Sequence, residues 1–279
     1  MSRTMLKRTV TALCMAVVLV PLMLWGMDTV FFPLLFAFIA VVAEFELLRC
    51  FGLEKNILMS LPLYAAACAA PFAARYLGRE RFLAGALAII GLALLVDLTV
   101  FTFSKGSVSL EAACAAGTVG SYIVLAFTSI VLLCDSGSSG HYICLLIFIG
   151  AWSTDIFAYI CGRLFGKHKL IPTISPKKTV EGSLGGIFFC ALAFLVYALV
   201  IERFADARPD YIVFVVGGIF TSAVAQAGDL IMSAIKRSKG IKDFGKILPG
   251  HGGMLDRFDS VMAVSLILLF LESFFGLMR

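Results

Sequence analysis

"PGHGGMLDRFDSVMAVSLILLFLESFF", residues 249–275, changes character within a few positions. It opens on glycines, a histidine, an arginine and two carboxylates, and from Val261 to Phe275 it is almost unbroken hydrocarbon. That run does not alternate with period two and is too long for a tilted strand, so it reads as a helix that enters a bilayer. The fold class follows from how often such runs recur.

Crossing about 30 Å of hydrocarbon takes about 20 apolar residues. Working outward from the last run, windows of that kind fall at 9–26, 30–48, 57–74, 82–103, 112–134, 142–162, 184–201, 211–232 and 257–277. With 61% hydrophobic and 15% charged residues over 279 positions, the composition excludes a water-soluble domain. The expectation is an all-α polytopic membrane protein of about nine transmembrane helices, with a polar cavity at the cytoplasmic side. The first window follows Arg3, Lys7 and Arg8 like a signal peptide, but it is long and shows no small-residue cleavage site, so it reads as a retained helix. The eight cysteines lie mostly in apolar windows without C-x-x-C spacing and read as small packing residues.

Short cytoplasmic loops collect Lys and Arg, which sets orientation. A cytoplasmic N-terminus puts Arg49, Lys55, Lys105, the 163–178 cations and the 236–257 cluster inside. Arg75, Arg79 and Arg81 dissent, and the loop of Arg203 and Arg208 is mixed with acids. Residues 1–140, with about five helices, read as a scaffold. Residues 141–279 carry four more and two polar cytoplasmic loops, 163–183 and 236–256.

Polar residues concentrate in that second half. Ser222, Gln226, Asp229, Ser233 and Lys236 recur at steps of 4, 3, 4 and 3, which stacks them on one helix face. A carboxylate near the bilayer centre costs at least about 2.5 to 3.5 kcal/mol, so Asp229 requires a partner or a wet cavity. Asp155, Tyr159, Gly162, Arg163 and Gly166 form a similar face at similar depth, making Asp155 a secondary candidate. Asp97 has apolar neighbours and reads as structural. Glu44 and Glu46, beside Arg49, read as a snorkelling interfacial pair.

In the first loop, Ser175, Lys177, Lys178 and Thr179 supply hydroxyl and ammonium donors suited to phosphate oxygens, and Gly182, Gly185 and Gly186 permit close backbone approach. A positive-inside loop beside anionic headgroups would share the lysines. In the second loop, Lys236, Arg237, Lys239, Lys242 and Lys246 precede Gly250, His251, Gly252 and Gly253. Asp256 and Asp259 stand at i and i+3, on one face of a helical first turn, where they suit a hard cation such as Mg²⁺ or the helix dipole alone. Carboxylates for a divalent metal, cations for a polyphosphate and glycines at a helix start fit phosphoryl or nucleotidyl transfer to a lipid. Asp243 and His251 suit loop orientation as well as substrate contact.

Ser233-x-Ile235-Lys236-Arg237, Lys242-Asp243-x-Gly245 and Leu248-Pro249-x-His251-Gly252-Gly253-Met254-x-Asp256-Arg257-Phe258-Asp259 resemble the signature of the phosphatidate cytidylyltransferases, or CDP-diglyceride synthases, of bacterial type. Gly228-Asp229, Asp155 with Tyr159 and Gly162, and Ser175-Pro176-Lys177-Lys178-Thr179-x-Glu181-Gly182 extend the likeness. The resemblance implies a nucleotidyltransferase of phospholipid biosynthesis that converts CTP and phosphatidate to CDP-diacylglycerol and pyrophosphate. It also implies Mg²⁺, a second, monovalent cation such as K⁺, a homodimer, no nucleic-acid partner, and a bacterial inner-membrane location with the active site facing the cytoplasm. Carried over by motif, Asp229, Asp256 and Asp259 become metal carboxylates. Lys236, Arg237, Lys242, Asp243 and Arg257 join them as catalytic residues, with Ser175, Lys177, Lys178, Thr179, Lys239 and His251 on substrate phosphates. The alternatives are a CTP-dependent polyprenol-type lipid kinase and an ion-coupled transporter.

Overall fold

The computed structural model describes residues 11, 13, 17–77, 79–104, 106, 108–205 and 207–278. Among these residues lie nine α-helices: α1 over residues 17–25, then α2 (Phe31–Cys50), α3 (Ile57–Leu77), α4 (Arg79–Phe103), α5 (Leu110–Cys134), α6 (Gly140–Phe165), α7 (Val180–Ala205), α8 (Tyr211–Ser238) and α9 (Leu255–Phe275). Seven of them, α2, α3 and α5–α9, are long and apolar enough to cross a membrane. Within α4 the apolar run covers Ile90–Phe103. The chain is therefore a mostly helical, polytopic integral membrane protein. Part of the 9–26 window, Arg3, Lys7, Arg8, Cys14, Lys105 and Asp206 lie outside the described residues, as does the side chain of Arg79.

The expected loop after α6 is not wholly irregular. It holds a small antiparallel hairpin, β1 (Lys169–Ile171) and β2 (Ser175–Thr179), paired with Lys169 opposite Thr179 and Ile171 opposite Ser175. Strands this short, one containing Pro176, leave too little alternation to read from sequence.

The contacts divide the chain into two compact units. One comprises Met1–Leu132 with Lys239–Arg257. In it α3 packs against both α2 and α4, and Leu48, Leu53, Met59, Leu63, Val108 and Ala112 belong to a common core. Phe36 of α2 stacks on Phe127 of α5 at 6.4 Å. Helix α3 continues through Pro62 and Pro71, residues that spanning helices tolerate better than soluble ones. Arg75, one of the cations that dissented from the orientation rule, donates to the Thr29 and Met27 carbonyls at 2.6 Å each.

The other unit comprises Leu133–Ser238 with Phe258–Arg279. Here α7 packs along α6 and α8, with small residues at the contacts. A Cβ on Gly182 would stand 2.6 Å from the Ala158 carbonyl oxygen, and one on Gly185 would stand 2.5 Å from Cys161. The close approach foreseen for Gly182, Gly185 and Gly186 is thus helix against helix, the small-residue packing typical of membrane interiors. The chain end is tied down by the Asp210 N–H, which donates to the Leu277 carbonyl at 3.1 Å.

Candidate active site

The loop between α8 and α9, described within the first unit, is built by glycines. Leu248 N–H donates to the Gly252 carbonyl at 3.0 Å and His251 N–H to the Leu248 carbonyl at 2.9 Å, closing a tight turn. That turn needs positive φ at Gly250 (81°) and Gly252 (89°), conformations that a Cβ disfavours. Gly245 and Gly253 answer a different demand, since a Cβ on either would fall within 2.3 Å of the Glu46 carboxylate. The glycines of this segment give specific geometry rather than slack.

Two buried carboxylates organise the same loop. Asp256 Oδ2 accepts the N–H groups of Phe244 (2.8 Å) and Gly253 (2.9 Å). Glu46 accepts those of Met254 (3.1 Å) and Leu255 (2.9 Å). Glu44 and Glu46 are 0% and 1% exposed, so the expected snorkelling pair is corrected: both are core residues. Sequence spacing could not find the Glu46 contact, because its partners stand more than 200 positions away.

Around the turn opens a cavity of 760 Å³ lined by Lys242, Asp243, Gly245, Lys246, Leu248, Pro249, Gly250, His251, Gly252 and Arg257. Three cations and a histidine therefore share one concavity with main-chain groups. Nδ1 of His251 is buried there without a hydrogen-bond partner, a cost native structures ordinarily avoid. Lys239 is not among the lining residues. Its ammonium pairs with Glu111 at 2.9 Å and lies 4.5 Å over the Phe51 ring.

In the second unit the stripe on α8 turns inward: Ser222, Gln226 and Lys236 are buried, and Asp229 and Ser233 are partly buried. Gln226 donates to the Ser183 carbonyl at 3.2 Å and Ser233 to Asp229 at 3.3 Å. Lys178 of β2 forms a 2.7 Å ion pair with Asp229, joining the hairpin to the α8 face. A 320 Å³ cavity beside it is lined by Asp155, Tyr159, Gly162, Arg163, Lys177, Lys178, Thr179 and Gln226, among others. Asp155, Asp229 and Lys236 all lie near enough to Asp259 to act on it electrostatically. Thr179 lines this cavity, yet its hydroxyl also accepts the Gly182 N–H at 3.2 Å, capping α7. Ser175 and Arg237 do not line either cavity. Glu181 holds the foot of the hairpin by accepting the N–H groups of Lys167 (3.0 Å) and His168 (3.2 Å) and bonding the His168 ring at 2.6 Å.

Among the described residues no group of three His, Cys, Asp or Glu side chains is close enough to enclose a metal by itself. That donor set still fits Mg²⁺, which binds through one or two carboxylates and completes its octahedron with water and substrate phosphate. Asp229 and Asp259 provide hard oxygens in one neighbourhood. A cation at Asp256 would compete with two main-chain donors for Oδ2.

A model of the Cytidylyltransferase family matches residues 6–275. The phosphatidate cytidylyltransferase of Staphylococcus haemolyticus is 35% identical over 269 residues, covering 92% of this chain and 95% of that protein. Those of Staphylococcus epidermidis and Staphylococcus saprophyticus are each 48% identical, over 130 and 132 residues. These two matches span about half the length of the relatives, 48% and 49%.

Proposed function

The chain belongs to the Cytidylyltransferase family, and from that premise we propose that it transfers the cytidylyl group of CTP to phosphatidate, giving CDP-diacylglycerol and pyrophosphate. The observation that carries this reading is the 760 Å³ cavity at the α8–α9 loop. Its Lys242, Lys246 and Arg257 walls and unpartnered His251 Nδ1 suit a polyanionic, water-borne substrate. The smaller cavity includes Arg163, Lys177 and Lys178, and two of its lining residues, Asp155 and Arg163, are followed in sequence by the exposed apolar side chains Ile156 and Leu164, so it suits the phosphate of a membrane lipid.

In the proposed reaction a phosphatidate oxygen attacks the CTP α-phosphorus in line as the bond to the pyrophosphate oxygen breaks. A phosphate monoester is largely anionic near neutral pH, so no strong general base is required. The chain's contribution is positioning and charge neutralisation: Lys242, Lys246 and Arg257 on the nucleotide phosphates, Lys177 and Lys178 on the lipid phosphate, and Lys236, buried beside the carboxylates. Asp229 and Asp259 would hold Mg²⁺, which supplies electrophilic stabilisation to the phosphates when bound, while a metal role for Asp256 rests on the resemblance alone. The monovalent cation, the homodimer and the bacterial inner-membrane location with a cytoplasmic site belong to the same proposal and rest on the resemblance and on the cationic loops.

Purified protein given CTP, phosphatidate and Mg²⁺ is expected to incorporate labelled cytidine into lipid and release pyrophosphate in equal amounts. Release of CDP with no cytidine in the lipid would instead identify a lipid kinase, and nucleotide-independent ion flux in liposomes a transporter.

A further inference from the structure

Glu46 has no place in the signature or in either cavity wall, yet the loop is moulded on it. Its side chain is 1% exposed. Oε1 accepts the Met254 N–H at 3.1 Å and Oε2 the Leu255 N–H at 2.9 Å. These are among the N–H groups that a helix start leaves without an intrahelical acceptor, and a carboxylate there also complements the helix dipole. A Cβ on Gly245 would stand 2.0 Å from Oε1, and one on Gly253 would stand 2.3 Å from Oε2. Neither glycine has a positive φ, so the backbone does not demand glycine at these two positions; the carboxylate does.

Together Glu46 and Asp256 accept four main-chain N–H groups, those of Phe244, Gly253, Met254 and Leu255. Gly245 is at once pressed on Glu46 and part of the wall that includes Lys242, Lys246 and Arg257. We propose that Glu46 is a positioning residue for the nucleotide cavity: its buried carboxylate sets the course of the α8–α9 loop and the start of α9, and so the placement of the cations that take the CTP phosphates. The inference rests on the reading of that cavity as the nucleotide site.

A double-mutant cycle with a readout blind to the reaction tests it. Glu46→Gln keeps size but turns one acceptor into a donor facing an N–H. It is expected to raise amide hydrogen exchange across 244–255 in the full-length, detergent-solubilised protein. It is also expected to lower kcat/KM for CTP at least tenfold while the KM for phosphatidate stays within twofold. Gly253→Ala is expected to cost about thirtyfold in the wild-type background and under threefold in Glu46→Ala, because the carboxylate it collides with is gone. Unchanged exchange in Glu46→Gln, equal losses for both substrates, or the same Gly253→Ala penalty in both backgrounds would overturn the proposal. Failure of the wild-type protein to transfer cytidine would overturn the functional reading instead and leave the exchange result standing.

Discussion

Lys178 and Asp229 show how one side chain is tied to another's environment. The 2.7 Å pair is about a quarter exposed at each end, so its attraction is less screened than that of a surface pair. Removing one partner leaves the other's charge uncompensated in a partly dehydrated place, and that loss exceeds the net value of the pair. Lys178→Met is therefore expected to cost about 1 to 3 kcal/mol of stability, measured by thermal unfolding in detergent, and to lower turnover at least tenfold. Lys178→Arg should recover most of the stability. An unchanged melting temperature in Lys178→Met would mean the pair is not maintained. The polar face of α8 was legible because 4,3,4,3 spacing is a local property of one helix. The Lys178 pairing and the burial of Glu46 were not, because both depend on which distant segment arrives at the same place. Glu46 stands near charged Arg49 at a helix end, and without its partners in view the interfacial reading was the natural one.

At the scale of elements, the seam between α6 and α7 makes the stronger demand on sequence. Gly182 lies with its missing Cβ 2.6 Å from the Ala158 carbonyl and 3.0 Å from the Gly162 Cα, both backbone atoms that cannot swing aside. Gly182→Ala is expected to force the helices apart at about 1 to 3 kcal/mol and to lower the melting temperature. Gly91, with nothing within 4 Å of its missing Cβ, is the control: alanine there should be neutral or stabilising by up to about 1 kcal/mol. Equal effects of the two substitutions would show that glycine matters at 182 for some reason other than packing. Helix positions were readable because hydrocarbon runs are continuous and bilayer thickness fixes their length; the window 211–232 falls inside Tyr211–Ser238 and 112–134 inside Leu110–Cys134. The hairpin stayed hidden because its strands are too short for period two to show, and the contacts that tie it down, Lys178 to Asp229 of α8 and Glu181 of α7 to the Lys167 N–H, reach other elements.

For the whole molecule, the path of the chain makes a prediction about sidedness. Helices α7 and α8 have 26 and 28 residues, about 39 and 42 Å of helix, more than the roughly 30 Å of hydrocarbon to be crossed. Two crossings return the chain to the side it left, so the β1–β2 hairpin and the α8–α9 loop should face the same compartment, and the α7–α8 connection the other. The cations follow that parity: Arg163, Lys167, Lys169, Lys177 and Lys178 in one loop, Lys239, Lys242 and Lys246 in the other, the pattern of cytoplasmic segments. In a variant with the eight native cysteines replaced, single cysteines at the exposed positions Lys177, Lys246 and Arg208 report this directly. A membrane-impermeant maleimide should label Arg208→Cys in intact bacterial cells, and Lys177→Cys and Lys246→Cys only in inverted vesicles. Labelling of Lys177→Cys and Lys246→Cys from opposite sides would break the parity of α7 and α8. It would also separate the two sets of cations that the proposed transfer requires on one face, since a soluble nucleotide and a lipid headgroup can react only where both sets can be reached.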